Sequence, residues 1–170
     1  NLGYGMPDGV PIVAQQEHIT NQLVFMIEQG AIAGIPTTGL NFGAMYNPSS
    51  IMDDSYQFNF FQGGGLDLAF LGFAEVDQNG NVNSSRFGNT ITGCGGSIDI
   101  SQNAKKVIFC GSFAVKAQFD ISTDGVKTIK KGSKRKFINN VQQVTFSGQY
   151  AIEKGQDVLY ITERAVFKLT

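Results

Sequence analysis

The residue whose type and setting could do chemistry is Glu28, in the stretch Phe25-Met26-Ile27-Glu28-Gln29-Gly30-Ala31-Ile32-Ala33-Gly34-Ile35-Pro36. Val24 to Ile27 form an apolar run of the kind that makes a buried strand, and Gln22 to Glu28 reads as the first core strand. That strand would deliver one carboxylate into a glycine-dense segment. Gly30, Gly34 and Gly39 leave little side-chain bulk there, so a ligand could approach both backbone and carboxylate. An ionised glutamate can attack an activated acyl group without a base to deprotonate it. The same residue would also serve as a plain solvated glutamate where a strand meets a loop.

A second cluster, Thr92-Gly93-Cys94-Gly95-Gly96-Ser97-Ile98-Asp99, precedes a short helix predicted to run through Asn103. Exposed N–H groups at such a helix start can hold negative charge, and a simple turn is the equal alternative. Other chemistries lack their residues. The single histidine, His18, lies on a predicted helix over Val10 to His18, ahead of the core strand, so no serine or cysteine triad can be assembled from proximity in sequence. No G-x-S-x-G elbow occurs, and no His/Cys/Asp cluster has metal-ligand spacing, so no metal is expected. Asp53 and Asp54 read as charges in the first turn of a helix that starts at Asn47-Pro48-Ser49-Ser50. Acyl transfer between carboxylates suits what remains. A glutamate attacks a thioester to give a mixed anhydride, the expelled thiolate attacks the glutamyl carbonyl, and backbone N–H groups stabilise each oxyanion.

The elements that must position these residues follow from the chain's patterning. At 170 residues the sequence fits one domain, residues 1–170, large enough to bury about 70% of its unfolded surface. Thirteen basic against fourteen acidic residues give no footing for a nucleic-acid or membrane-surface partner. The basic run Lys130-Lys131-Gly132-Ser133-Lys134-Arg135-Lys136 reads as a solvated face within exposed hairpins over residues 113–137. Cys94 and Cys110 make neither a metal pattern nor a disulfide framework and read as buried free thiols. Gly63-Gly64-Gly65 opens onto the apolar run Leu66 to Ala74, which fits a strand covered on both faces. Asn79-Gly80 signals a hairpin turn. Further strands are predicted over Lys106 to Cys110, Val141 to Phe146, Asp157 to Thr162 and Ala165 to Leu169. The class is α/β: an open, mostly parallel sheet flanked by helices, with antiparallel edge strands.

An ordered set of segments carries a resemblance. They are Asn1-Leu2-Gly3-Tyr4-Gly5-Met6-Pro7, Glu28 to Pro36, Gly63 to Gly72, Gly93 to Asp99 and Val158-Leu159-Tyr160-Ile161-Thr162-Glu163-Arg164-Ala165-Val166-Phe167. In this order they cover essentially the whole chain, which resembles the second (C-terminal or β) half of family I coenzyme A transferases, of the acetate and short-chain acyl-CoA type. The resemblance implies a coenzyme A transferase / NagB-RpiA-like fold. It also implies an enzyme that moves CoA between a short-chain acyl-CoA and a free carboxylate by a ping-pong route.

By the same resemblance, Glu28 is the thioester-forming nucleophile and Gly95 and Gly96 belong to the oxyanion loop. Asn1 lies near bound coenzyme A, and Gly30 and Gly64 admit the pantetheine arm and acyl group. Ala33 stands where a second glycine of the glutamate loop is common, and a lysine that some relatives place beyond the glutamate has no counterpart. Coenzyme A is then a substrate, transiently covalent. The expected partners are the acyl-CoA and acid substrates and a complementary N-terminal or α half, with a homo-oligomer once complete, in the cytoplasm. The chain is expected to be truncated at both ends and inactive alone. Two rivals remain open: an acyl-CoA hydrolase using the same glutamate, and a non-catalytic ligand-binding domain of the same fold.

Overall fold

The computed structural model describes residues 1–116, 118–125, 127–131 and 134–170. Three parallel strands form its centre: β1 (Leu68–Gly72), β2 (Lys106–Cys110) and β3 (Asp157–Ile161). β2 lies in the middle, with Val107 opposite both Ala69 and Val158. An antiparallel edge strand, β4 (Val166–Lys168), pairs with β3 and completes the mixed sheet. Parallel neighbours require crossovers, and each crossover here carries a helix. Helix α3 (Ser97–Asn103) precedes β2, and α4 (Gly148–Glu153) precedes β3. The other helices are α1 (Val10–Gln16) and α2 (Asp54–Gln62). Among the described residues no helix is long and apolar enough to cross a membrane.

Burial alternates strictly along the three parallel strands, as the period of two demands. Ala69, Leu71, Val107, Phe109, Val158 and Tyr160 face one side. They join Phe61 of α2, Ile100 and Ala104 around α3, Ala151 of α4 and Phe146 in the main core. The opposite face is covered more thinly: Phe70 packs there against Leu2, Ala14 and Phe25. Residues 1–3 run beside β1, where Gly3 N–H donates to the Phe70 carbonyl at 2.7 Å and Leu2 bridges Phe70 in parallel. The apolar run at 66–74 is thus covered on both faces, unequally.

The Asn79-Gly80 turn forms as expected, joining Glu75–Asp77 to Val82–Asn83. Its Asp77 Oδ1 accepts the N–H groups of Asn79 and Asn81, and Gly80 takes φ 75°. Residues 114–115 pair antiparallel with 134–135, and 118–121 with 127–131, as the expected hairpins require; Lys134 and Arg135 are exposed. Gly132 and Ser133 of the basic run lie outside the described residues.

Three expected elements differ. Gln22 to Glu28 is not a strand: Thr20–Gln22 is a 3-10 turn, and beyond it only Met26 makes a ladder contact, one bridge to Ile32. Phe25, Met26 and Ile27 are buried as anticipated, but the chain reverses at once and pairs with itself, leaving no second strand to extend the ladder. The helix expected from Asn47 starts instead at Asp54, because Ser50–Ile51 is extended and paired with Ala31–Ile32. Asp53 is the true cap, accepting from Ser55 N–H at 3.0 Å. Val141 to Phe146 forms no strand beyond a bridge from Phe146 to Val82. Ser147 then caps α4, and Phe137–Ile138 supplies the partner for Val76–Asp77.

Candidate active site

Glu28 sits at the tip of the reversal that replaces the expected strand. Ile27 N–H donates to Ala31 C=O, Gly30 N–H to Ile27 C=O, and Ala33 N–H to Phe25 C=O. The buried Phe25-Met26-Ile27 side chains anchor one arm of this loop. The other arm is tied to the lead-in of α2 by the Ala31–Ile32 and Ser50–Ile51 pair and by the Met52 N–H to Gly30 C=O bond of 3.0 Å.

The Glu28 side chain is half-buried and reaches the glycine cluster ahead of α3. Its carboxylate accepts a hydrogen bond from the Gly96 N–H. A Cβ at position 96 would overlap Glu28 Oε2 and would come within 2.7 Å of the Phe58 ring. Gly96 has an ordinary φ of −77°, so its lack of a side chain serves this approach and not a strained backbone. Gly93 and Gly95, at φ 83° and 50°, give the loop the left-handed bends that bring Gly96 into place. Gln29 Nε2 stands 3.5 Å from Glu28 Oε1, at the outer limit of a hydrogen bond.

Burial pushes the Glu28 carboxyl above the usual glutamate range, and the Gly96 N–H offsets only part of that rise. A carboxylate held this way is less solvated and more basic than one in water, yet already has an amide donor at one oxygen. The arrangement can present an anionic nucleophile beside an N–H able to stabilise developing oxygen charge.

The sequence-derived residues therefore divide. Glu28, Gly95 and Gly96 come together. Gly30 is buried at φ 99° with the Met52 carbonyl occupying the place of a Cβ. The place of a side chain there is taken by backbone, so the turn itself requires glycine at this position. Gly64 takes φ 82° just after α2, where Gly64 N–H donates to Phe61 C=O and Gly65 N–H to Phe60 C=O. That pair of bonds is a Schellman cap, so the glycine run ends a helix. Asn1 lies beside β1, its C=O accepting from Phe70 N–H at 2.9 Å. The residues that follow it, Gly3 and Tyr4, line a cavity of about 430 Å³ at the C-terminal ends of β1 and β2. Cys94 and Cys110 are free and half-buried. His18 is exposed and lies just past α1, which ends at Gln16 and not at His18 as expected. Among the described residues no group of three or more His, Cys, Asp or Glu could hold a metal ion.

Sequence reasoning missed Phe58, which walls Glu28 and Gly96 from α2 and meets Phe61 edge-on at 5.7 Å. The signal was present as Phe58 and Phe61 at helical spacing, but the misplaced helix start hid which face they occupy.

No family model matches the chain. It is 46% identical over 170 residues to an acetate CoA-transferase, YdiF, of Escherichia coli strain K12, covering 99% of this chain and 32% of that protein. It is 44% identical over 175 residues to a caffeate CoA-transferase of Acetobacterium woodii, covering 99% of this chain and 33% of that protein. The fold matches the solved acyl-CoA transferase of E. coli O157:H7, described as a thioester complex with CoA. There the TM-score is 0.86 at 45% identity, over 99% of this chain and 32% of that one. The chain thus spans about a third of the length of the relatives it matches.

Proposed function

We propose that the chain is the β-type half of a family I coenzyme A transferase, which its 46% and 44% identity to an acetate and a caffeate CoA-transferase supports, and that it carries the nucleophile of an acyl-CoA:carboxylate CoA-transferase. The observation that carries the reading is the meeting of Glu28 with the Gly96 amide in a half-buried setting walled by Phe58.

Glu28, as its carboxylate, attacks the thioester carbonyl of a short-chain acyl-CoA. The C–S bond breaks, CoA leaves as thiolate, and an acyl-glutamyl anhydride remains. The thiolate then attacks the glutamyl carbonyl, forming a glutamyl-CoA thioester and releasing the acid as its carboxylate. A second acid reverses both steps and leaves with CoA, restoring the Glu28 carboxylate. No proton needs to move, because every nucleophile and leaving group is an anion. The Gly96 N–H, with the loop through Gly95, donates to the oxygen that gains charge at each addition, a contribution of about 3 kcal/mol for one such donor. The crystal structure of the related transferase as a thioester complex with CoA and the names of both relatives support coenzyme A as the substrate class. The matched third of those proteins supports a complementary α half that completes the site.

The experiment uses the full-length protein with both halves. It is incubated with acetyl-CoA and quenched, and the peptide containing Glu28 is mapped by mass. A CoA adduct on Glu28, absent in Glu28→Ala, is the expected result. A folded, CoA-binding protein with unmodified Glu28 would overturn the proposal. Adding acetate or propionate to the same reaction reads whether an acid captures the CoA or only free thiol accumulates, which separates transfer from hydrolysis.

A further inference from the structure

The cavity at the C-terminal ends of β1 and β2 begins one residue from Gly96, at Ser97. Its wall combines the apolar Tyr4, Leu71 and Phe73 with the polar Ser97, Ser112 and Lys136. Among the described residues that line it, Lys136 is the one charged side chain. The Lys136 ammonium donates to the Phe73 carbonyl at 3.0 Å and lies 4.9 Å from the centre of the Phe73 ring. An ammonium has three N–H donors, so the carbonyl leaves donor capacity for a further acceptor. Burial lowers the Lys136 pKa, while Glu163 works the other way. That carboxylate is not in the cavity wall and accepts the Phe113 N–H at 2.9 Å. The Cys110 thiol also borders the space, and burial pushes its pKa up, so it does not compete as an anion.

A recess of mixed apolar and small polar groups with a single half-buried cation at its edge fits a small organic acid: hydrocarbon against Leu71 and Phe73, carboxylate on the ammonium. The phosphates of coenzyme A lie a pantetheine arm away from the reacting sulphur, whereas this cation borders the cavity that starts beside the Gly96 loop. Building on the transferase reading above, we propose that the cavity is the seat of the free acid, with Lys136 as the residue that holds its carboxylate. Lys136 then sets affinity for the acid and contributes little to affinity for acyl-CoA, whose acyl group is uncharged.

The test uses full-length protein, acetyl-CoA as donor and propionate as acceptor. In Lys136→Met the KM for propionate rises by about tenfold or more while the KM for acetyl-CoA stays within about twofold. Lys136→Arg, which keeps the charge, recovers most of the loss. An unchanged KM for propionate, or equal rises in both KM values, overturns the proposal. Because Lys136→Met also removes the bond to Phe73, a second measurement uses the unaltered protein. Trinitrobenzenesulfonate labelling of lysines is mapped with and without propionate. Propionate protects Lys136 and leaves Lys134 reactive; equal labelling with and without propionate overturns the proposal. The Glu28 adduct is scored separately. An adduct without protection sinks the acid seat alone, and protection without an adduct sinks the transferase reading while leaving a carboxylate site.

Discussion

The Glu28 carboxylate accepts the Gly96 N–H, and its Oε2 occupies the space that a side chain on residue 96 would fill. Donor and acceptor come from loops on different sides of β1, so the pair exists only when the sheet is assembled. The absence of a side chain at 96 is therefore a requirement of contact with Glu28.

Replacing Glu28 by glutamine keeps the shape and removes the nucleophile. In the full-length protein, Glu28→Gln forms no CoA adduct, and turnover falls by about 10^4-fold or more. Steady-state assay with acetyl-CoA and an acid acceptor checks this, and a variant with a tenth of normal turnover would contradict it.

Gly96→Ala adds a methyl group where Oε2 and the Phe58 ring meet, at a backbone angle any residue tolerates. Adduct formation slows by about 10²-fold, the scale of a misplaced oxyanion donor, while the melting temperature moves little. Adduct formation at the normal rate in this variant would remove Gly96 from the mechanism.

The other two glycines separate by stability. Gly64→Ala places a side chain at a left-handed helix cap that has open space around it, costing about 1 kcal/mol. Gly30→Ala meets both a positive φ and the Met52 carbonyl, and costs about 3 kcal/mol or more. Denaturant titration of the two variants gives the order directly. If Gly64→Ala also weakened coenzyme A binding tenfold, the helix-cap account of that glycine would be incomplete.

Acidity acts on Glu28 and Glu75 in opposite senses. The folded-state pKa of Glu28 is raised by burial, so its nucleophilic form is lost as pH falls through a value above the ordinary glutamate range. The rate of adduct formation has its acid limb there. For stability the sign reverses. Folded Glu28 binds a proton more readily than unfolded Glu28, so its favourable contribution is present at low pH and is lost as pH rises through the raised pKa. Glu28→Gln is consequently more stable than the parent at neutral pH, which thermal melts at pH 5 and pH 7 measure.

Glu75 is buried. Its pKa is pushed up by burial, but the donors Asn83 at 2.8 Å, Gln142 N–H at 3.0 Å and Lys134 at 3.0 Å outweigh this and leave it lowered. Its contribution is present above the unfolded value and is lost as pH falls through the depressed one. Glu75→Ala strands these donors and costs about 3 kcal/mol, with melts at neutral pH as the measurement.

The central strands were legible because Leu68–Gly72, Lys106–Cys110 and Asp157–Ile161 are apolar runs bounded by glycine or charge, and long-range pairing reinforced the local pattern. The stretch at 24–27 is as apolar, and Phe25, Met26 and Ile27 are buried while Val24 is exposed. Burial alone does not supply a neighbour to pair with, so it became one arm of a tight reversal. Ser49 and Ser50 look like helix caps in isolation, but pairing with Ala31–Ile32 claims the backbone of Ser50 and moves the cap to Asp53. Glu28 and the two glycine clusters stood out by residue type, and the resemblance supplied their roles; their contact could not be read from spacing, since it depends on how the sheet folds. Phe58 and the cavity with Lys136 depend on packing across elements and leave no local mark.

The tie between Gly30 and Met52 joins the Glu28 loop to the start of α2, the helix that carries Phe58. Nucleophile and aromatic wall thus belong to one short-range piece of chain, and the amide donor arrives on another. Contacts near in sequence close with less loss of chain entropy than distant ones. The contact with Gly96 thus closes a longer loop than the tie between Gly30 and Met52 and is the costlier of the two in chain entropy. Hydrogen exchange at the Gly96 amide serves as its gauge: protection there signals an armed nucleophile, and early exchange signals a Glu28 loop still intact but without its donor.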